Sequence, residues 1–172
     1  MATAPEKIVV EPGSGRVVSL AGNEVTFKIQ GRQTSGAFSS VIYVMRPGMF
    51  VPPHLHEKAD EVGYVLEGEL GAMVAGREFQ AAPGAFVVRP RGIPHALWNV
   101  TDRPVSLLDL YAPAGMEAFF DEMSKVLSAS EPPSLQQMFD AGRRFDTIYL
   151  PELAPPLMQK YGLQLPIPGS PS

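Results

Sequence analysis

Apolar and polar residues alternate in short runs over roughly the first two thirds of the chain, with the two-residue period of strands. Candidate strands cover Glu24–Gln30, Ala37–Arg46, Glu61–Leu66, Glu69–Val74, Arg77–Gln80, Ala85–Arg89, His95–Asn99 and Val105–Tyr111. Between them stand Pro47-Gly48, Glu67-Gly68, Ala75-Gly76, Pro83-Gly84 and Pro90-Arg91-Gly92, residue types that favour tight reversals. A parallel α/β sheet needs a crossover helix between strands, and no helical period intervenes here. The pattern therefore predicts an all-β sandwich or barrel over residues 15–113.

Beyond Pro113 the period changes. Met116, Phe119, Phe120, Met123, Val126 and Leu127 form a helical stripe within Gly115–Leu127. Glu117, Asp121 and Glu122 stand early in it and Lys125 late, which suits the helix dipole. Ser134 and Gln137 have capping-box spacing and open a second short helix through Phe139. A third helix is expected over Glu152–Tyr161, interrupted at Pro155-Pro156 and ended by Gly162. We read residues 114–165 as a helical extension, packed on the barrel or at a subunit contact. Residues 1–14 are expected to be loose or to add a strand, and residues 166–172 to fray.

Composition narrows the function classes. The 172 residues suffice for one independent core, and a hydrophobic fraction of 45% argues against disorder throughout. Net charge is −4 and no Lys/Arg run or basic stripe exists, so nucleic acid is not an expected partner. Cysteine is absent, which removes disulfides, thiolate zinc sites, Fe–S clusters and thiol nucleophiles. No 18-residue apolar run and no charged leader before an apolar segment appear, so the expectation is a soluble, cytoplasmic protein without membrane contact. Asn99-Val100-Thr101 has the form of a glycosylation sequon but is read as a turn asparagine.

All three histidines of the chain, His54, His56 and His95, fall in two short stretches. On an extended segment residues two apart share a face, so His54 and His56 project together, and Pro52 and Pro53 favour that extended backbone. Glu61 opens the next strand beyond a turn and can fold back beside them, while His95 arrives from a separate strand. The set offers three nitrogens and one oxygen. A single histidine in a β protein is ordinarily a surface or hydrogen-bonded residue; the combination points to a metal site. Glu57 and Asp60 are rival carboxylates, read as solvated turn residues because spacing favours Glu61.

The two stretches resemble the paired motifs of the cupin superfamily, G-x5-H-x-H-x4-E-x6-G and G-x5-P-x-G-x2-H-x3-N. The matching positions are Gly48, His54, His56, Glu61 and Gly68, then Gly84, Pro90, Gly92, His95 and Asn99. The resemblance covers about residues 35–112 and implies a double-stranded β-helix, the cupin jelly roll, here with short C-terminal α-helices. One copy of each motif suggests a monocupin, and the helical tail is similar to small quercetin-dioxygenase-like bacterial cupins. For those the resemblance implies a metal in the barrel mouth, a small-molecule substrate and a homodimer.

Three imidazoles and a carboxylate suit one divalent transition ion, Fe(II), Mn(II), Ni(II), Co(II) or Zn(II), with two open cis positions if octahedral. No nucleotide, flavin or haem is expected. The leading expectation is an O2-dependent dioxygenase acting on a small oxygenated molecule, aromatic or enolisable. A redox-neutral isomerase, cyclase or lyase uses the same ligands, and a non-catalytic binding cupin is the alternative outside enzymology. Candidate pocket walls are Tyr43, Met45, Phe50, Val65, Phe86, Leu97 and Trp98, each of which also reads as ordinary core. Arg46, Arg89 and Arg91 could meet an anionic substrate but read first as surface or structural arginines. Tyr64 could donate a proton, although strand parity aims it away from Glu61. No phosphate loop or nucleophile elbow competes, and a Ser/His/Asp triad would need a histidine of the metal set. No catalytic group beyond the metal centre is assigned.

Overall fold

The computed structural model describes residues 9–165; the expected frayed tail at 166–172 and the first eight residues lie outside that range. Among the described residues, eleven strands form two antiparallel sheets. The six-stranded sheet runs β1 (Arg16–Leu20), β2 (Asn23–Ile29), β3 (Ser39–Met45), β10 (Val105–Ala112), β5 (Asp60–Glu67) and β8 (Phe86–Arg89). The five-stranded sheet runs β11 (Ile148–Tyr149), β4 (Phe50–Leu55), β9 (His95–Trp98), β6 (Leu70–Val74) and β7 (Arg77–Ala81). Each of the eight expected strands has its counterpart in this all-β jelly roll.

The sequence pattern did not mark β1, β4 and β11 as strands. β1 is an edge strand whose residues are mostly exposed, so it carries no inward apolar stripe to detect. β4 contains Pro52 and Pro53, which cannot donate to a ladder. The pairing with β9 skips them: Phe50 faces Trp98, Val51 faces Leu97, then the register shifts and His54 faces His95. That irregularity has a consequence for the site, because it changes which side of β4 faces inward.

Among the described residues, three α-helices follow β10. α1 (Met116–Leu127) lies where the stripe predicts it. α2 (Leu135–Arg144) begins at the Ser134–Gln137 capping box and continues past Phe139, because Met138, Ala141 and Gly142 bury one face. α3 (Ala154–Tyr161) carries its two prolines in the first turn, where missing N–H groups cost nothing, and ends at Gly162 in the left-handed conformation (φ 64°). No described helix is long and apolar enough to cross a membrane.

α1 completes the barrel core instead of forming a core of its own. Met116, Phe119, Phe120 and Met123 join Phe27, Val41, Tyr43 and Leu107 in one buried cluster. Phe120 meets Phe27 and Tyr111 edge-on, with ring centres 6.1 and 5.9 Å apart. α3 covers the outer face of the five-stranded sheet, where Ala154 and Leu157 pack on Phe50, Met73, Ala96 and Trp98.

Candidate metal centre

β-sheet register brings the site together. His54 of β4 faces His95 of β9, with ring centres 4.3 Å apart, and His56 follows two residues later, with ring centres 5.1 Å from His54. Glu61 of β5 comes from the opposite sheet, flanked by Arg89 of β8 and Tyr111 of β10. One ligand-capable atom from each of His54, His56, Glu61 and His95 lies within 4.8 Å of the others, and all four residues are buried. Metal–nitrogen and metal–oxygen bonds of ~2.1 Å place donors ~3 Å apart when adjacent and ~4.2 Å apart when opposite. The cluster has the right size for one ion.

The hydrogen bonds fix which nitrogens are free. Each Nδ1 sits against a backbone carbonyl: His54 against Pro52 (2.8 Å), His56 against Asp146 (2.8 Å), His95 against Ile93 (3.0 Å). A carbonyl only accepts, so Nδ1 carries the proton and each neutral ring turns an unprotonated Nε2 inward. Glu61 Oε2 then faces His56 Nε2 at 3.3 Å and His95 Nε2 at 3.1 Å. Lone pairs confront lone pairs, and Glu61 Oε2 and His95 Nε2 have no hydrogen-bond partner despite full burial. Such orphaned atoms are costly unless a cation sits among them. The residues present therefore fit a bound metal ion.

Electrostatics in the absence of metal point the same way. Burial pushes the His54 imidazolium well below its ordinary range, and the neighbouring His95 and His56 push it further. Burial also lowers His56, but the Glu61 carboxylate and the Asp146 carbonyl outweigh it and the net shift is upward. Glu61 would be raised by burial, yet the Arg89 guanidinium holds its carboxyl well below the usual range, helped by His56 and His95 whenever those rings carry a second proton.

The chain after α2 secures the turn that carries the ligands. Asp146 adopts a left-handed backbone (φ 64°), and its carboxylate accepts the N–H groups of Glu57, Lys58 and Ala59 at 3.0 to 3.2 Å. Its carbonyl holds His56. The rival carboxylates stay outside the cluster: Glu57 is exposed, and Asp60 is bound to Arg91 (2.7 Å), which lowers its pKa to about 2. Asn99 is fully buried, with Nδ2 donating to the Met45 and Arg103 carbonyls, as a turn asparagine should be.

A cavity opens over the four residues, walled by Tyr43, Val51, Leu97, Tyr111 and Tyr149 of the barrel and by Met116, Phe119, Phe120 and Met123 of α1. Of the expected pocket walls, Tyr43 and Leu97 line it. The others need correction. Met45 and Val65 face inward but are packed into solid core. Trp98 is one step out of phase with His95 and Leu97, so its indole lies over Gly71 on the outer face, against Tyr161 (4.8 Å). Phe50 pairs with Trp98 on that same face, because the irregularity at the prolines reverses the parity between it and His54. Phe86 is 69% exposed and stacks outside on Tyr64, out of phase with Val87 and Arg89. Tyr64, as parity predicts, points away from the site.

Sequence reasoning gave no site role to Asp109, Tyr111 and Thr147, and read Arg89 as structural. Arg89 is 1% exposed; it donates to Asp109, and its Nη1 lies 2.9 Å from Glu61 Oε1. Gly63 makes room for this group, since a Cβ there would overlap Arg89 Nη2 and stand 2.8 Å from Asp109 Oδ1. Burial holds the Tyr111 phenol neutral, assisted by the charges of Glu61 and Asp109. The signal available in the sequence was parity: Asp109 interrupts the inward stripe of Val105, Leu107 and Tyr111.

Comparison with known proteins agrees with this fold. Residues 41–111 match the family described as Cupin domain. A germin-like protein, subfamily 2 member 2, of Arabidopsis thaliana is 36% identical over 109 residues, 60% of this chain and 48% of that protein. The oxalate oxidase GF-3.8 of Triticum aestivum is 30% identical over 95 residues, 51% of this chain and 42% of that protein. The chain thus spans about half the length of these curated relatives or less. Among solved structures, an RmlC-like cupin from Shewanella frigidimarina superposes with a TM-score of 0.56 at 18% identity, covering 67% of this chain and 98% of that one, which speaks for the fold. On the motif, the jelly-roll topology and these matches, the chain is a cupin-superfamily protein with a single cupin domain.

Proposed function

We propose that this cupin is a metal-dependent enzyme. His54, His56, Glu61 and His95 would hold one divalent transition ion, and the substrate is a small oxygenated molecule bound in the cavity above it. The observation that carries the reading is the convergence of one ligand atom each from His54, His56, Glu61 and His95 to within 4.8 Å of one another, with Glu61 Oε2 and His95 Nε2 buried and without hydrogen-bond partners. A non-catalytic binding barrel has no need of four such converging donors. When bound, the ion would act as a Lewis acid toward a substrate oxygen and, if redox-active, give access to O2.

The chain's own residues supply the rest. The carbonyls of Pro52, Ile93 and Asp146 orient the imidazoles, and Arg89 keeps Glu61 ionised. The apolar side chains of α1 exclude water from the cavity and favour an aromatic or enolisable body. An O2-dependent dioxygenase is the leading reaction, and the name oxalate oxidase borne by one relative supports oxidative chemistry. The test is turnover by protein reconstituted separately with Fe(II), Mn(II), Co(II), Ni(II) and Zn(II), on a panel of phenols, catechols and enolisable ketones. O2 uptake matched to product formation is the expected result. Product formed equally under argon would replace the dioxygenase by a redox-neutral enzyme, and no turnover with any metal would leave a binding protein.

A further inference from the structure

Three buried charged groups lie next to one another behind the histidines: Glu61, Arg89 and Asp109. Arg89 and Asp109 are 1% exposed, on neighbouring inward positions of strands flanking β5. Arg89 divides its two terminal nitrogens between the carboxylates, Nη1 to Glu61 and Nη2 to Asp109, so only Nε remains. Asp109 gives Oδ1 to Arg89 and nothing to Oδ2, which is buried without a partner. Asp109 lines the cavity over the metal cluster, and so does Thr147, whose buried Oγ1 also lacks a partner.

A carboxylate serving only to neutralise an arginine would use both oxygens or leave one to water. Asp109 lines one cavity with Tyr43, Leu97, Met116 and Phe119, so its unpartnered acceptor is instead complementary to a donor that arrives with the ligand. An ionised carboxylate accepts and does not donate, which restricts the ligand group to a hydroxyl or amine. The group that meets Oδ2 cannot itself be a carboxylate, which has no proton to give, and Arg89 is already occupied by Glu61 and Asp109.

We infer that Asp109 is a ligand-recognition residue: its Oδ2 accepts a hydrogen bond from a hydroxyl of an uncharged, mainly aromatic or apolar substrate, whose body lies against Met116, Phe119, Phe120 and Met123. This rests on the proposed function in taking the cavity as the substrate site. It adds the class of substrate, a phenol or related hydroxylated molecule and not a simple carboxylate, and names the atom that selects it.

The probes are phenol, anisole and benzoate, which share a ring and differ in offering a donor, a capped oxygen or a charge. Their dissociation constants are measured by ligand-observed NMR titration on Zn(II)-loaded protein, and again on apo protein, for wild type and Asp109→Asn. Asparagine keeps the shape of the side chain and still accepts from Arg89, but turns an NH2 toward the ligand. Wild type should bind phenol about ten- to a hundredfold more tightly than anisole, the worth of one hydrogen bond to a charged group. On apo protein, where no cation can hold a carboxylate, it should bind benzoate more weakly than phenol. In Asp109→Asn the phenol-to-anisole ratio should fall to near one while zinc content stays at one per chain.

Equal affinities for phenol and anisole in wild type would overturn the inference without any variant. So would a ratio that survives Asp109→Asn. Failure to bind Zn(II) would instead overturn the metal reading, and the apo titrations would still decide the role of Asp109. A purely structural Asp109 would change the melting temperature of the variant and leave the ratio intact.

Discussion

Replacing Arg89 by methionine tests whether the buried charges behind the metal cluster are arranged as described. Methionine has similar length and no charge, so packing changes little while one cation vanishes between two carboxylates. Glu61 and Asp109 are both buried to within a few per cent, and Arg89 is the cation bonded to both. Removing one partner of a buried pair costs about 3–5 kcal/mol, because the remaining charge has neither water nor a counter-ion. For a chain of this length that is on the order of 10 °C in melting temperature. The sign of the pH dependence follows from the folded-state shifts. Arg89 holds the Glu61 carboxyl well below its ordinary value, a stabilisation present above the unfolded carboxyl range and lost on acidification. Burial raises Asp109 to about 6 even with Arg89 beside it. Without Arg89 the Glu61 carboxyl loses what holds it down and the Asp109 carboxyl rises further, so both take up protons sooner and the deficit of the variant should be largest near pH 7 and shrink toward pH 5. Urea unfolding of metal-free protein, followed by circular dichroism at both pH values, reads this directly. A loss below about 1 kcal/mol at pH 7, or a deficit that grows on acidification, would refute the reasoning.

Other expectations follow from the same geometry. Gly63→Ala should destabilise by about 1–3 kcal/mol in thermal unfolding, because the new methyl overlaps Arg89 and crowds Asp109; a neutral result would mean that the guanidinium does not lie there. Asp146→Asn keeps a residue tolerant of φ 64° but weakens the acceptor of three backbone N–H groups, so metal affinity should drop about tenfold in a competition assay. Metal affinity should also fall on acidification, beginning above the ordinary imidazole range because His56 is raised and by up to about tenfold per unit for each imidazole that must release a proton, with His54 contributing only well below that range. Net stabilisation of the His56 imidazolium by Glu61 makes His56 the first to compete. Affinity measured by a chromophoric chelator that is flat from pH 8 to pH 5 would contradict that ligand set.

The barrel was legible because its strands alternate and its turns are written in Gly and Pro. The metal cluster was legible for a different reason: three histidines at motif spacing fix backbone positions that the sheet register then brings together. What escaped was geometry that alternation alone cannot carry across an irregularity. Phe50 lies an even number of residues from His54, yet the ladder break at Pro52 and Pro53 turns it to the opposite face. Trp98 and Phe86 are aromatic and near the motifs, but their parity relative to His95 and Arg89 sends them outward. Asp109 and Tyr111 required reading β10 by parity, where one acidic residue stands in an inward apolar stripe. The contribution of α1 to the cavity, and of Asp146 to the His56 turn, arises from contacts between segments 85 or more residues apart in some cases, such as Gly31 with Glu117 and Glu57 with Asp146. Local pattern has no access to such pairs.

The central claim is that one divalent ion belongs among four particular side chains. Metal content after reconstitution and desalting, measured by elemental analysis on wild type, His56→Ala, Glu61→Ala and Glu57→Ala, addresses it most directly. The account predicts one ion per chain in wild type and Glu57→Ala, and a folded barrel retaining well under half an ion in the other two. Equal retention in Glu61→Ala and Glu57→Ala, or a wild type that takes up no ion at all, would contradict it.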